Sequence, residues 1–220
     1  MKSLSRLKDN SRRPVAIAAT GLFLCSLVLY FAPVALPHKI TLPVGILALS
    51  SLWLCPWQLT LALAFSATGD YFGSAGNFIA QMGSFAVAHI WFIVFFAVLY
   101  HHRRKDAVNG KRFAFGATFC SLALLATAFT LIVPHAPVGI LQIGVSVYAC
   151  LICAMLLLAL LQRDLIFGLG AGLFVFSDFI LAWQLFVSPI PYSGLLIMIP
   201  YYAAQWLLYK KSTSFRDWPK

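Results

Sequence analysis

The chain is 220 residues long, 61% hydrophobic and only 10% charged, with a mean hydropathy of +0.88. Those proportions describe a polytopic membrane protein and leave no charge-rich stretch long enough to fold as a separate soluble domain. The net charge of +10 and pI of about 9.6 would suit nucleic acid, but the basic residues lie in short clusters between apolar runs, which is topology information and argues against a nucleic-acid partner.

Residues 1–13 are polar and basic (Lys2, Arg6, Lys8, Arg12, Arg13), and Pro14 then opens an apolar run to Phe31. A basic start before an apolar core is also the form of a signal peptide. The run is long for one, and Ala32-Pro33-Val34-Ala35 is a poor cleavage site, so a retained first span is expected. Further spans are expected at 40–54 (interrupted by Pro43), 57–73, 82–100, 113–133, 138–161, 165–187 and 192–209. Most approach the ~20 residues that cross a 30 Å hydrocarbon core, whereas the second and third are short. Joints bearing Pro or Gly separate several of them: Cys55-Pro56, Gly73 to Gly76, Pro134 to Pro137 and Ser188 to Gly194. The expected organisation is all-α: a basic cytoplasmic tail at 1–13, an eight-helix membrane bundle at 14–210 and a second cytoplasmic tail at 211–220.

Eight spans place both termini on one side. With the N-terminus in the cytoplasm, fifteen Lys and Arg residues fall inside and one, Lys39, outside. So one-sided a split supports an N-in, C-in bundle. The implied location is an integral, multi-pass membrane protein, in the inner membrane if the source is bacterial. The five cysteines (Cys25, Cys55, Cys120, Cys150, Cys153) lie in or at the ends of apolar runs, where packing is their expected role rather than a disulfide framework. Nothing in the sequence specifies an oligomeric state.

Six residues are acidic, and Asp9, Asp106, Asp164 and Asp217 fall in tails or connections beside basic residues. Asp70 and Asp178 instead sit inside apolar stretches, where an ionised Asp near the helix centre costs about 2.5–3.5 kcal/mol. Ser66 and Asp70 are i,i+4 on one helical face. Gln81, Phe85 and His89 share a face, and Tyr201 and Gln205 repeat the spacing beside Tyr202. At a rise of 1.5 Å per residue, Asp70 lies near the outer end of its span, His89 ~10 Å and Asp178 ~12 Å below the outer ends of theirs. Tyr201, Tyr202 and Gln205 lie near or just below the midplane, completing a graded polar column in the outer half of the bilayer.

Such residues can simply bond helices together, at about 1 kcal/mol each. An amide would serve that purpose more cheaply than a carboxylate, which favours a functional role for Asp70 and Asp178. His89 near two carboxylates is a plausible proton partner, while His38, His101, His102 and His135 lie at span ends. Metal catalysis needs three convergent ligands, usually His-rich, and there is no H-x-x-x-H spacing. Neither a G-x-S-x-G elbow nor a Walker loop is present. The chemistry left is acid–base work by two carboxylates in a low-dielectric site, with no metal or cofactor, one Asp acting as acid and the other as base. A proton-coupled small-solute transporter would use the same residues, and a non-catalytic scaffold would tolerate Asp70→Asn.

Gly69-Asp70, Met82-Gly83-Ser84-Phe85 leading to His89, Gly172-Leu173-Phe174-Val175-Phe176-Ser177-Asp178 and Tyr201-Tyr202-Ala203-Ala204-Gln205 together resemble the YhhN-like lysoplasmalogenase family of eight-span membrane proteins. The likeness runs in order from the second to the eighth helix. Lys39-Ile40-Thr41-Leu42-Pro43 is similar to that family's Lys-Pro-Leu-Thr stretch but lacks the proline after the lysine, and Phe92 stands where a tyrosine is common, which removes a possible hydroxyl. The resemblance implies hydrolysis of the vinyl-ether bond of a lysoplasmalogen to a fatty aldehyde and a glycerophospho-base. It also implies a lysophospholipid substrate drawn from the bilayer, with Asp70 and Asp178 dividing the acid and base roles and His89 holding one of them. Ser66, Tyr201, Tyr202 and Gln205 are then expected at the substrate, and Lys39 at its phosphate or, equally, as a simple interfacial lysine.

Overall fold

The structure is a computed structural model describing residues 2–103 and 111–215, with side chains described for 12–102 and 112–215. The expected roles of Asp9, Asp106 and Asp217 and most of the basic 101–112 connection lie outside those described side chains. Eight α-helices follow in order: α1 (Lys2–Phe31), α2 (Thr41–Leu54), α3 (Trp57–Ser74), α4 (Phe78–Arg103), α5 (Lys111–Leu131), α6 (Ile140–Leu161), α7 (Leu165–Phe186) and α8 (Ser193–Ser212). Among the described residues two 3₁₀ turns, Val133–His135 and Thr213–Phe215, complete the secondary structure, and no strand occurs.

Among the described residues, five segments are long and apolar enough to cross a membrane: Arg12–Phe31, Phe78–His102, Arg112–His135, Ile140–Leu161 and Leu165–Phe186. Thr41–Leu54 is apolar but shorter. The chain is therefore an all-helical, multi-pass membrane protein, with the expected eight helices in the expected order.

Two helices begin earlier than their apolar runs. Helix α1 starts at Lys2 and passes through Pro14, so the basic residues extend the first apolar helix. Helix α4 starts at Phe78 because Gly76 takes a positive φ of 75° and the Asn77 side-chain oxygen accepts from the Ala80 N–H at 3.1 Å. That is the usual device for satisfying an orphan donor in a first turn. Helix α7 starts in the same way, with Asp164 Oδ1 accepting from the N–H groups of Ile166 (3.1 Å) and Phe167 (3.4 Å).

The chain divides into two compact units, Met1–Ala88 with Ser212–Lys220, and His89–Lys211. In the first, α1 packs on α2 and α2 on α3 around Val44, Leu47, Leu59, Ala62 and Leu63. Lipid tails are as apolar as these side chains, so close fit and hydrogen bonds hold the helices together here. The Ser51 and Thr60 hydroxyls meet at 3.0 Å between α2 and α3. The first turns of α4 lie against α3 at two glycines. A Cβ on Gly69 would fall 2.7 Å from the Phe85 ring, and one on Gly73 2.7 Å from the Gln81 amide.

In the second unit α5 packs on α6 and α6 on α7. Phe95 and Phe96 of α4 meet Phe167 of α7 edge-on, with ring centroids 5.9 and 5.2 Å apart. Helix α8 lies close to α7 because Gly170 leaves room for Leu208, which a Cβ would approach to 2.9 Å. Pro200 has no N–H to return to Leu196, and beside that break the Ser177 hydroxyl of α7 donates to the Ile197 carbonyl at 2.9 Å. The far ends of the two helices are joined by an ion pair, Lys211 Nζ to Asp164 Oδ2 at 2.7 Å. Partial burial pushes the Asp164 carboxyl up. The hydrogen bond from Lys211, the Phe167 and Ile166 N–H groups and the Lys211 charge outweigh it and hold its pKa below the ordinary value.

Candidate functional site

Each expected site residue has a definite place. In the first unit, Asp70 is 3% exposed on α3, one residue after the glycine against which Phe85 lies. Ser66, one turn earlier, is fully buried, but its hydroxyl donates to the Ala62 carbonyl at 2.9 Å. The expected support of Asp70 by that hydroxyl competes with a bond already made inside the helix, the ordinary habit of serine in an apolar helix. Lys39 lies in the turn before α2 and gives two of its N–H groups to the carbonyls of Ala32 (2.8 Å) and Val34 (3.0 Å), with Nζ 5.9 Å from the centre of the Tyr30 ring. The neighbouring His38, at a positive φ of 54°, is 2.6 Å from Ser74 Oγ at the end of α3. The turn is thus fastened through both His38 and Lys39.

The second unit brings three polar side chains from three helices into one cluster. His89 of α4 is 0% exposed, and its Nε2 lies 3.0 Å from the phenol oxygen of Tyr148 on α6. Tyr148 in turn donates to Asp178 Oδ2 on α7. His89 Nε2 and Asp178 Oδ2 are 3.6 Å apart, an ion pair whenever the imidazole is protonated, and the Asp178 side chain is 14% exposed. The sequence put His89 with one of the two aspartates without choosing between them; here it lies by Asp178, linked through a phenol that sequence reasoning did not single out. Tyr148 gives little signal in a hydropathy profile because its ring suits an apolar helix. The cue would have been its place in Gln142-Ile143-Gly144-Val145-Ser146-Val147-Tyr148, the most polar stretch of α6.

Aromatic rings frame this cluster. Phe174 lies edge-on to His89 at 4.9 Å and to Tyr201 at 5.5 Å, and Phe92 is fully buried 6.1 Å from Phe174. Phe92 supplies no hydroxyl, and Tyr148 brings one to His89 from a different helix. Tyr202 and Gln205 are buried on α8, and both polar atoms of the Gln205 amide have no hydrogen-bond partner among the described residues. His89 Nδ1 is in the same condition. A buried polar atom without a partner costs about 1–3 kcal/mol, so these two groups are suited to receiving a polar ligand. Among the described residues no three His, Cys, Asp or Glu side chains converge as metal ligands would.

Residues 39–212 match a model of the YhhN family. Among curated proteins the chain is 30% identical to mouse (Mus musculus) lysoplasmalogenase TMEM86B over 165 residues, covering 69% of this chain and 62% of that protein. It is 32% identical to cattle (Bos taurus) lysoplasmalogenase TMEM86A over 167 residues, covering 73% and 67%. Against human (Homo sapiens) lysoplasmalogenase TMEM86B it is 32% identical over 155 residues, covering 67% and 59%. The chain thus spans about three fifths of the length of the TMEM86B relatives it matches. No solved structure matches it.

Proposed function

Because the chain belongs to the YhhN family, we propose that it is a membrane-embedded hydrolase that cleaves the vinyl-ether bond of lysoplasmalogens, releasing a fatty aldehyde and a glycerophospho-base. The observation that carries this reading is the His89–Tyr148–Asp178 cluster, a set of proton-handling groups set among aromatic rings. The names of the relatives in mouse, cattle and human supply the substrate class.

The reaction needs an acid that protonates the vinyl β-carbon, an anion near the resulting oxocarbenium ion, and a group that takes a proton from the attacking water. Asp178 accepts from Tyr148 and is assigned the anion, with His89 beside it for the water's proton. Asp70, buried on α3, is assigned the acid. The water oxygen bonds to the oxocarbenium carbon. The hemiacetal then collapses, its hydroxyl proton passing to the departing glyceryl oxygen and its C–O bond breaking to leave the aldehyde. Tyr201, Tyr202 and Gln205 are assigned to the substrate, with Ser66 nearer Asp70. Lys39 is assigned to the phosphate through the N–H not engaged by Ala32 and Val34.

The test is an assay of purified protein on a vinyl-ether lysolipid and its matched ester. Aldehyde from the first and no fatty acid from the second is expected. Equal turnover of the ester, or no aldehyde, would overturn the reading, and uptake driven by a proton gradient would replace it with transport. In the same proposal all eight helices cross, with both termini cytoplasmic. A cysteine introduced at 134–137 should then react with an impermeant thiol reagent in intact cells, and one within 101–112 should not. The reverse pattern would invert the orientation.

A further inference from the structure

The Tyr148 hydroxyl has one hydrogen, and it is donated to Asp178 Oδ2. The phenol oxygen therefore meets His89 Nε2, 3.0 Å away, as an acceptor, and the hydrogen between them belongs to the imidazole. The chain of donors runs in one direction, from Nε2–H to the phenol to the carboxylate. A neutral imidazole with hydrogen on Nε2 has its lone pair on Nδ1, the buried atom that no described residue bonds. Without the phenol, the 3.6 Å between Nε2 and Oδ2 is too long for a direct hydrogen bond.

We propose that Tyr148 is a positioning residue that acts through His89, holding the imidazole in its Nε2–H tautomer so that Nδ1 is the atom that takes the proton of the attacking water. The proposal rests on the hydrolase reading and deepens it. On proton transfer, one water O–H bond breaks, its oxygen bonds to the oxocarbenium carbon and its hydrogen passes to Nδ1. The imidazolium then retains Nε2–H, and its charge faces Asp178 across the phenol. This is the logic by which a hydrogen bond at one ring nitrogen sets the role of the other. Phe92 and Phe174 against the ring help to hold its orientation.

The experiment uses the full chain labelled with ¹⁵N and ¹³C histidine in detergent micelles or nanodiscs, with the His89 signals identified by their loss in His89→Gln. In the parent at neutral pH the His89 shifts should report the Nε2–H tautomer, and in Tyr148→Phe they should move toward a mixture. An Nδ1–H tautomer in the parent, or identical spectra in the variant, would overturn the proposal without any reference to turnover. With the vinyl-ether lysolipid, Tyr148→Phe should lower kcat about 10–100-fold and leave KM within about twofold. An unchanged kcat would overturn the positioning role, as would a rise in KM alone. Absence of aldehyde from the parent would instead sink the hydrolase reading, and the spectra would still decide the tautomer.

Discussion

The two carboxylates set in apolar helices have unlike surroundings. Asp178 is addressed by hydrogen bonding: a phenol from α6 donates to it, and an imidazole from α4 stands behind the phenol. The helix around Asp70 is closely packed, with Phe85 pressed on the adjacent Gly69 and Gln81 on Gly73 one turn later. On the helix of Asp178, Gly172, six residues earlier, has open space where a side chain would go. Close packing thus marks the helix stretch around Asp70 and a hydrogen-bonded chain marks Asp178, so glycine substitutions should separate the two stretches.

The largest expected effects come from the carboxylates themselves. Asp178→Asn and Asp70→Asn should each reduce aldehyde release about 10²–10⁴-fold while the variants remain folded by thermal unfolding, the range expected for loss of a transition-state anion or of a general acid. Near-parent rates in both would make the aspartates structural. Next comes the volume test. Gly69→Ala should destabilise the protein by about 1–3 kcal/mol through overpacking, and Phe85→Leu in the same chain should recover part of the loss, whereas Gly172→Ala should be close to neutral. Equal effects at both glycines would erase the contrast between the two sites.

A smaller effect is expected at Ser66, whose hydroxyl is engaged by Ala62. Ser66→Ala should lower turnover less than tenfold, and a loss as large as that of Asp70→Asn would show that the hydroxyl serves the carboxylate after all. The smallest concerns Asp164, far from both carboxylates in function. Its pKa is held below the ordinary value in the folded protein, so its contribution is present at neutral pH and is lost as pH falls through that lowered value. Asp164→Asn should cost no more than about 1 kcal/mol at pH 7, converge with the parent as pH falls through that lowered value, and leave turnover unchanged. A difference that widened in acid would reverse the sign.

Much of the helical layout was legible because its punctuation is chemical. Pro56, the glycines at 73 and 76, and the 188–194 joint end or begin helices where sequence reasoning placed them. The start of α1 was not legible, because residues 2–13 are polar and helix formation there leaves no apolar trace. Asp178 and His89 stood out as polar residues in apolar runs, and the structure brings them within 3.6 Å. Tyr148 was hidden by its own ring, since a buried tyrosine is apolar to every periodicity rule until its hydroxyl finds a partner. Spacing placed Ser66 on the face of Asp70 but could not reveal that its hydrogen goes to its own helix.

The order in which the partners of Asp178 occur along the chain bears on how the protein reaches the membrane. Ribosomal synthesis delivers α4 first, then α6, and only afterwards α7. When the helix carrying Asp178 emerges, the phenol that donates to its carboxylate and the imidazole behind that phenol are already made, and the insertion cost of that residue, about 2.5–3.5 kcal/mol on translocon scales, can be met by a waiting donor instead of lipid. Moving α7 ahead of α4 by circular permutation would remove that shelter, and the nascent chain, rather than the finished fold, is where the defect would surface.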